Sequence, residues 1–524
     1  MIGRYLIAAS LLAVASACTS EISDPLRIDA GLVSAGPASA SGVRAFKGLP
    51  FGAPPVGDLR WRAPQPVEPW DDVRDASAFH DVCVQQQGRN WTNIALLPDG
   101  PGMSEDCLYL NVWTAAQSPS DSLPVMVFFY GGAFTDGAGS VPLYDGTALA
   151  EKGAIVVTMN YRLGAFGFFA HPQLSETSAH SVSGNYGIMD MLASLEWVQN
   201  NIAAFGGDPN NVTVFGQSAG ANAIVGLAAS ARAQGQFQRA IAESIMGLTP
   251  APGMRTLAQA EEAGVEAATT AGVSTAAELR AMSVEEVTAN FRSAGMIVDG
   301  WAIPEDPGLV YSQGRQNAVD IMYGANKDES LFSRPTTPEQ FQERARRRYG
   351  ELTDAYLAVY PAATDEEAAV ASAEANRDET FWRARAYAEL HRQRGNDAYV
   401  FFFAQNPPAS AGEAPLPASH ASEVPYVFNN LGEHPLYPDQ SNPELAAASA
   451  ADQQLADQMS SYWVNFARSG NPNGEGLPNW PAHQSLDTVN AAILDANPAS
   501  ESLPSLARMQ FFDRNLERIA ARSE

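Results

Sequence analysis

Apolar residues recur along this chain in two rhythms. Residues 123–130 and 154–161 are almost unbroken apolar runs, the pattern of strands buried on both faces of a sheet. Residues 105–113 alternate apolar and polar and also predict a strand. Over 184–204 the period lengthens, with Ile188, Met191, Leu192, Leu195 and Val198 at helical spacing. Residues 318–324 and 398–403 predict short strands, and 459–467 a helix. Two Ala/Glu-rich blocks, 257–292 and 364–394, carry helical periodicity and no strand; the second opens with a capping box, Thr364 and Glu367. Residues 26–43 predict an edge hairpin. Residues 46–64 hold too much proline for a central strand or a helix interior, and predict an extended surface segment at a cleft rim. Alternating strand and helix predicts a doubly wound, mostly parallel sheet, with the two helical blocks inserted over its carboxyl edge.

Length adds little to this picture. The 524 residues accommodate a single α/β domain over 26–524, preceded by a signal peptide at 1–17 and a short tether at 18–25. The signal rests on Arg4, a short apolar core, and Ala15-Ser16-Ala17-Cys18. That tetrapeptide fits a small-x-small cleavage site and also resembles a bacterial lipobox, with Ala15 where Leu is usual. Cys18 is then either a plain new N-terminus or a lipidated anchor to the membrane. Both readings place the protein outside the cytoplasm, in the periplasm or secreted. Acidic residues outnumber basic ones 59 to 32, for a net charge of −27, which disfavours nucleic acid and anionic membrane surfaces as partners. The seven histidines show no metal-ligand spacing, so neither metal nor cofactor is expected.

The chemistry centres on Val212-Thr213-Val214-Phe215-Gly216-Gln217-Ser218-Ala219-Gly220-Ala221, an apolar strand, a Gly-x-Ser-x-Gly turn and a small-residue helix start. A serine on such a turn sits at strained dihedrals with its hydroxyl above the sheet, and Gly216 and Gly220 avoid crowding the neighbouring strand and helix. Upstream, the strand at 123–130 runs into Tyr130-Gly131-Gly132-Ala133-Phe134, where a sharp turn can bare amides for an oxyanion. A nucleophilic serine also needs a base and an acid to orient it, and in this kind of fold they follow in the order Ser, Asp or Glu, His. Past the strand at 318–324, Glu329 is the best-placed acid, with Asp328 as rival. His420, in a loop after a strand, is preferred as base over His434, His483 and His391; His391 lies in a helical pattern and is read as a surface residue. Cys83 and Cys107 are either a disulfide closing a loop, contributing about 3 kcal/mol, or two buried thiols. Export favours the bond.

From about residue 26 to 481 the chain resembles the type-B carboxylesterases, which include the cholinesterases. The resemblance rests on residues 105–113, the elbow at 215–221, Tyr130 to Phe134, Asn160-Tyr161-Arg162-Leu163-Gly164, residues 205–209, 326–329, His420-Ala421-Ser422-Glu423 and Tyr462-Trp463-Val464-Asn465-Phe466-Ala467. It implies an α/β-hydrolase fold and ester hydrolysis through an acyl-serine, with Ser218, Glu329 and His420 as triad. It further implies the amides of Gly132, Ala133 and Ala219 as oxyanion donors, a Cys83–Cys107 disulfide, and a small-molecule ester as substrate. Ser244 and Glu423 match positions behind the triad. Gln217 stands where the family has Glu, Ala133 where it has a third glycine, and Ile245 where it has glycine. The same machinery also serves lipases and acyltransferases. Inactive adhesion relatives typically lose the serine, which is present here.

Overall fold

The computed structural model describes residues 21–85, 101–329, 336–407, 416–431, 448–501 and 503–520. The signal segment, Cys18 and His434 lie outside them. Among the described residues nine strands form the central sheet: β1 (Arg44–Pro50), β2 (Tyr109–Thr114), β3 (Leu123–Phe129), β4 (Ile155–Met159), β5 (Gly207–Gln217), β6 (Arg239–Glu243), β7 (Asp320–Asn326), β8 (Ala398–Phe403) and β9 (Ala492–Leu494). Their spatial order is β9-β8-β7-β6-β5-β3-β4-β2-β1. Every pairing from β9 across to β4 is parallel, and β2 runs antiparallel to both β4 and β1.

The unbroken apolar runs are the inner strands: every residue of β4 is buried, and all of β3 except Leu123. Four helices pack closest to the strands that carry the candidate residues: α1 (Tyr186–Asn201), α2 (Ala219–Ala229), α3 (Asp365–Gln393) and α4 (Ala450–Ser469). Helices cover both faces of the sheet. Phe401 and Phe402 are consecutive on β8 and so point to opposite faces; Phe401 packs on Trp463 of α4 (5.3 Å between ring centres) and Phe402 on Phe381 of α3 (5.2 Å).

The structure differs from the sequence reading in five places. The proline-rich segment at 46–64 begins inside a strand, β1, which takes the outermost position, where a ladder broken between Phe46 and Leu49 and ending at Pro50 is tolerated. The hairpin Leu26–Ile28/Gly31–Ala35 does not extend the main sheet but joins Val73–Ala76 in a separate three-stranded one. The second helical block is not an insertion over the sheet edge. It is α3, the crossover between parallel β7 and β8, lying on the sheet face. Only half of its predicted capping box forms: Thr364 Oγ1 accepts from Glu367 N–H, while the Glu367 carboxylate turns to Ala363 N–H (2.8 Å). His391, near its end, is therefore not on the surface. It is fully buried against Tyr311 and Tyr323, with Nε2 3.3 Å from the Tyr311 hydroxyl, and burial pushes its pKa down to about 3. The sequence pattern misleads here because residues 378–389 of α3 are buried all round, leaving no polar face by which to orient the helix.

Between β5 and α2 the backbone passes hard against the end of β3. A methyl group at Gly216 would come within 2.4 Å of the Phe129 carbonyl oxygen, and one at Gly220 within 1.9 Å. We expect Gly220→Ala to destabilise the protein by about 1–3 kcal/mol or more, the usual cost of overpacking, read as a lowered urea midpoint. An unchanged midpoint would mean that the α2–β3 contact gives way freely.

Candidate active site

Ser218 occupies the turn from β5 into α2 at φ 55°, ψ −115°, a conformation that L residues rarely adopt. Its flanking residues Gln217 and Ala219 are buried, whereas Ser218 itself is partly exposed. Its N–H donates to the Glu243 carbonyl at the end of neighbouring β6 (2.9 Å), which fixes the turn to the sheet. The N–H of Ala219 opens the first turn of α2, where backbone donors have no partner within the helix.

The chain leaving β3 coils into a tight loop. Gly132, Ala133 and Phe134 have φ of 114°, 52° and 60°, and the Gly132 carbonyl turns inward to accept from Thr135 N–H (2.8 Å), Asp136 N–H (3.2 Å) and the Thr135 hydroxyl (3.0 Å). The N–H groups of Gly132 and Ala133 make no hydrogen bond among the described residues. The loop abuts the elbow: a Cβ at Gly131 would lie 3.0 Å from Ser218 Cβ. A cavity beside it is lined by Leu163, Phe166, Phe291, Thr135 and Asp136.

Glu329 and His420 meet behind the elbow, both about 2 % exposed, with Glu329 Oε2 2.7 Å from His420 Nδ1. The other carboxylate oxygen accepts from the Ser244 hydroxyl (2.5 Å) and from Asn326 N–H (3.0 Å). Asp328, the rival acid, is occupied elsewhere: its carboxylate accepts from Ala418 N–H (3.0 Å), pinning the loop that leads to His420. On the far side of the ring, Gln217 Nε2 lies 3.0 Å from His420 Nε2. An amide N–H pointing there suits the neutral ring with its proton on Nδ1, facing Glu329.

Burial alone would depress the His420 pKa, but the adjoining Glu329 carboxylate and, further off, Glu423 outweigh it and hold the ring above its ordinary 6.5. Burial alone would raise Glu329, but His420, Ser244 and Asn326 hold it below the ordinary carboxylate value. Two further buried carboxyls sit nearby. Glu243 accepts from Trp463 Nε1–H (2.9 Å), and Glu423 accepts from the Asn326 side chain. Burial pushes both up to about 8, helped for Glu423 by repulsion from Glu243.

Cys83 and Cys107 are joined, Sγ to Sγ 2.08 Å. Ile245 is fully buried. His483 is also buried, 3.3 Å from Glu389 on α3 and remote from the cluster at Glu329. Among the described residues no group of three or more His, Cys, Asp or Glu is arranged to hold a metal ion, and no helix is long and apolar enough to cross a membrane. The sequence reading passes over Asn326, whose backbone and side chain together hold Glu329, Glu423 and the Ser419 carbonyl (2.7 Å). Its one signal is its place at the end of β7, three residues before Glu329.

Residues 31–512 match the family model of the carboxylesterase family. The chain is 36% identical over 499 residues to the para-nitrobenzyl esterase of Bacillus subtilis, covering 90% of this chain and 95% of that one. It is also 36% identical over 457 residues to the fumonisin B1 esterase of Sphingopyxis macrogoltabida, covering 84% and 81%. A solved PNB esterase structure superposes with a TM-score of 0.77 at 32% identity, over 93% of this chain and 98% of that one. The architecture is thus the α/β-hydrolase fold.

The paired shifts of Glu329 and His420 give a direct spectroscopic expectation. In the wild type the His420 ring should titrate above pH 6.5. In Glu329→Gln the attraction is gone and burial dominates, so the ring should titrate below 6.5. Histidine ring NMR across pH 4–9, with His420→Gln to assign the signal, measures both. A ring pKa unmoved by Glu329→Gln would contradict the pairing.

Proposed function

The chain belongs to the carboxylesterase family and is a carboxylic-ester hydrolase, and we propose that it acts through an acyl-serine on Ser218. In this reading His420 is the base and Glu329 orients and stabilises its ring. The amides of Gly132, Ala133 and Ala219 hold the oxyanion. The observation that carries the reading is the buried 2.7 Å contact between Glu329 and His420 Nδ1, with the ring's Nε2 turned toward the elbow at Gln217.

Ser218 Oγ attacks the ester carbonyl carbon as its proton passes to His420 Nε2. The carbonyl oxygen becomes an oxyanion held by the three amides. Collapse breaks the bond to the alkoxy oxygen, which takes the proton from the imidazolium and leaves as the alcohol. Water then attacks the acyl-serine, giving its proton to His420, and the second collapse returns that proton to Ser218 and frees the carboxylic acid. Gln217 points an N–H at the nitrogen that receives the proton. The substrates are small-molecule esters, and Leu163, Phe166 and Phe291 offer one apolar wall.

The Cys83–Cys107 bond belongs with an exported protein. In this reading the leader directs export and Cys18, outside the described residues, carries lipid at the mature N-terminus.

Three measurements test these statements. Ser218→Ala should lose at least about 10⁴-fold in turnover of p-nitrophenyl acetate with an unchanged circular dichroism spectrum; activity within about tenfold of wild type would refute the acyl-serine. Because the base must be neutral to work and its pKa is raised, kcat/KM should fall as pH drops, with a midpoint above 6.5. Cys18→Ser should release activity from the membrane fraction or block processing. Wild-type activity already fully soluble, with no added acyl mass, would leave an unlipidated exported esterase.

A further inference from the structure

The loop that carries Gly132 and Ala133 is held in part by a buried side chain, Gln85, only 8% exposed. Its Nε2 donates to the Gly137 carbonyl (3.0 Å) and to the Cys83 carbonyl (3.1 Å), and its Oε1 accepts from Gly137 N–H (3.0 Å). Because Gly137 presents both a donor and an acceptor, the amide fits only one way round. Gly137 in turn closes the loop on itself. Its φ is +117°, and a Cβ there would lie 2.4 Å from the Tyr130 ring and 2.9 Å from the Gly131 carbonyl oxygen. Gly131 is the residue that abuts Ser218. An unbroken run of contacts therefore leads from Cys83 through Gln85, Gly137 and Gly131 to the elbow.

The far end of that run is itself fixed. Cys83 is bonded to Cys107, and Val82 and Cys83 pair with Met103 and Ser104 in a two-stranded sheet. A second tie lies alongside: Asn160 accepts from Gly139 N–H (2.9 Å) and donates to the Asp81 carbonyl (3.3 Å).

We propose that Gln85 is a positioning residue that holds the Gly132 and Ala133 amides in register with Ser218, so that the disulfide-bonded segment sets the shape of the oxyanion site. The proposal rests on the acyl-serine reading of Ser218. Oxyanion donors contribute only while aimed at the developing charge, and Ala133 and Phe134 are held at φ values that a released loop would abandon. Without Gln85, both the N–H and the C=O of buried Gly137 lose their partners. The loop then recovers hydrogen bonds by rotating its peptides toward water, which turns the amides of Gly132 and Ala133 away from Ser218.

Two variants separate positioning from general packing. Gln85→Met keeps the length and removes every hydrogen bond; Gln85→Glu keeps the acceptor for Gly137 N–H and removes both donations. For each, kcat and KM are measured on a p-nitrophenyl ester, together with affinity for an aryl trifluoromethyl ketone, whose adduct with Ser218 places an oxyanion in the site. Amide exchange over 132–137 is followed by mass spectrometry. Gln85→Met should lower kcat by about 10–100-fold, the scale of a misplaced or missing donor, with KM within about threefold. It should weaken the ketone by a similar factor and speed exchange over 132–137 but not in α2. Gln85→Glu should fall between it and the wild type.

A folded Gln85→Met with kcat and ketone affinity within about twofold of wild type overturns the proposal, as does unchanged exchange over 132–137. If Gln85→Met does not fold, Gln85→Glu decides by the same criteria. Failure of the underlying reading looks different: wild type and Ser218→Ala would then hydrolyse the ester equally, and the exchange data alone would decide whether Gln85 holds the loop.

Discussion

Strands β3, β5, β6 and β7 run parallel and in register, and the arrangement of the site depends on that. Phe129 pairs with Gly216, Gln217 with Glu243, and Glu243 with Gly324, so the chain leaves four neighbouring strands at one edge and at nearly one level. Tyr130, Ser218 and Ser244 are the first residues beyond three of those ends. Backbone hydrogen bonds continue the ladder into the turns, from Ser218 N–H to the Glu243 carbonyl (2.9 Å) and from Ser244 N–H to the Gly324 carbonyl (2.8 Å). Groups far apart in sequence thus share one rigid base, the position at which parallel α/β sheets generally bind ligands.

The same edge gathers more acid than it can hold as charge. Glu243, Glu329 and Glu423 are all buried, yet of the three only Glu329 has a basic side chain within hydrogen-bond reach, His420. Uncompensated carboxylates in such a place are costly. The conflict is eased because burial raises the pKa of Glu243 and Glu423 and so favours their protonated forms, and because a neutral amide, Gln217, stands against the ring. What remains is one carboxylate, Glu329, hydrogen-bonded to the Nδ1 side of His420.

Much of this could be read from the sequence, for reasons that differ by residue. Ser218 was legible because its elbow is short-range: strand, turn and helix lie within ten consecutive residues. The inner strands were legible because burial on both faces leaves an unmixed apolar run. Glu329 was preferred over Asp328 by its place past the strand, and the family resemblance supported that register; one residue of register decides which carboxyl reaches the ring. His391 was misjudged because a helix enclosed on all sides loses the periodicity that orients it. Gln85 carried no signal of its work, and Asn326 only its place at the end of β7. Each is an ordinary amide whose importance lies in partners 52 and 93 residues away in the chain, Gly137 and Ser419.

Backbone conformation supplies one last consequence. Of the nine described non-glycine residues with positive φ, five surround the site: Ala133, Phe134, Ser218, Ser244 and Ala421. Such conformations cost on the order of 1–3 kcal/mol each, and nothing in the packing of an α/β sheet calls for them to cluster. The protein is therefore not at its own stability optimum. A search for more heat-resistant variants, blind to activity, would be drawn to these positions first, putting glycine at Ser218 or Ala133 and relaxing the turns. At Ser218 it would return a sturdier molecule with the same fold and no chemistry, because there the strained residue is also the one proposed to react.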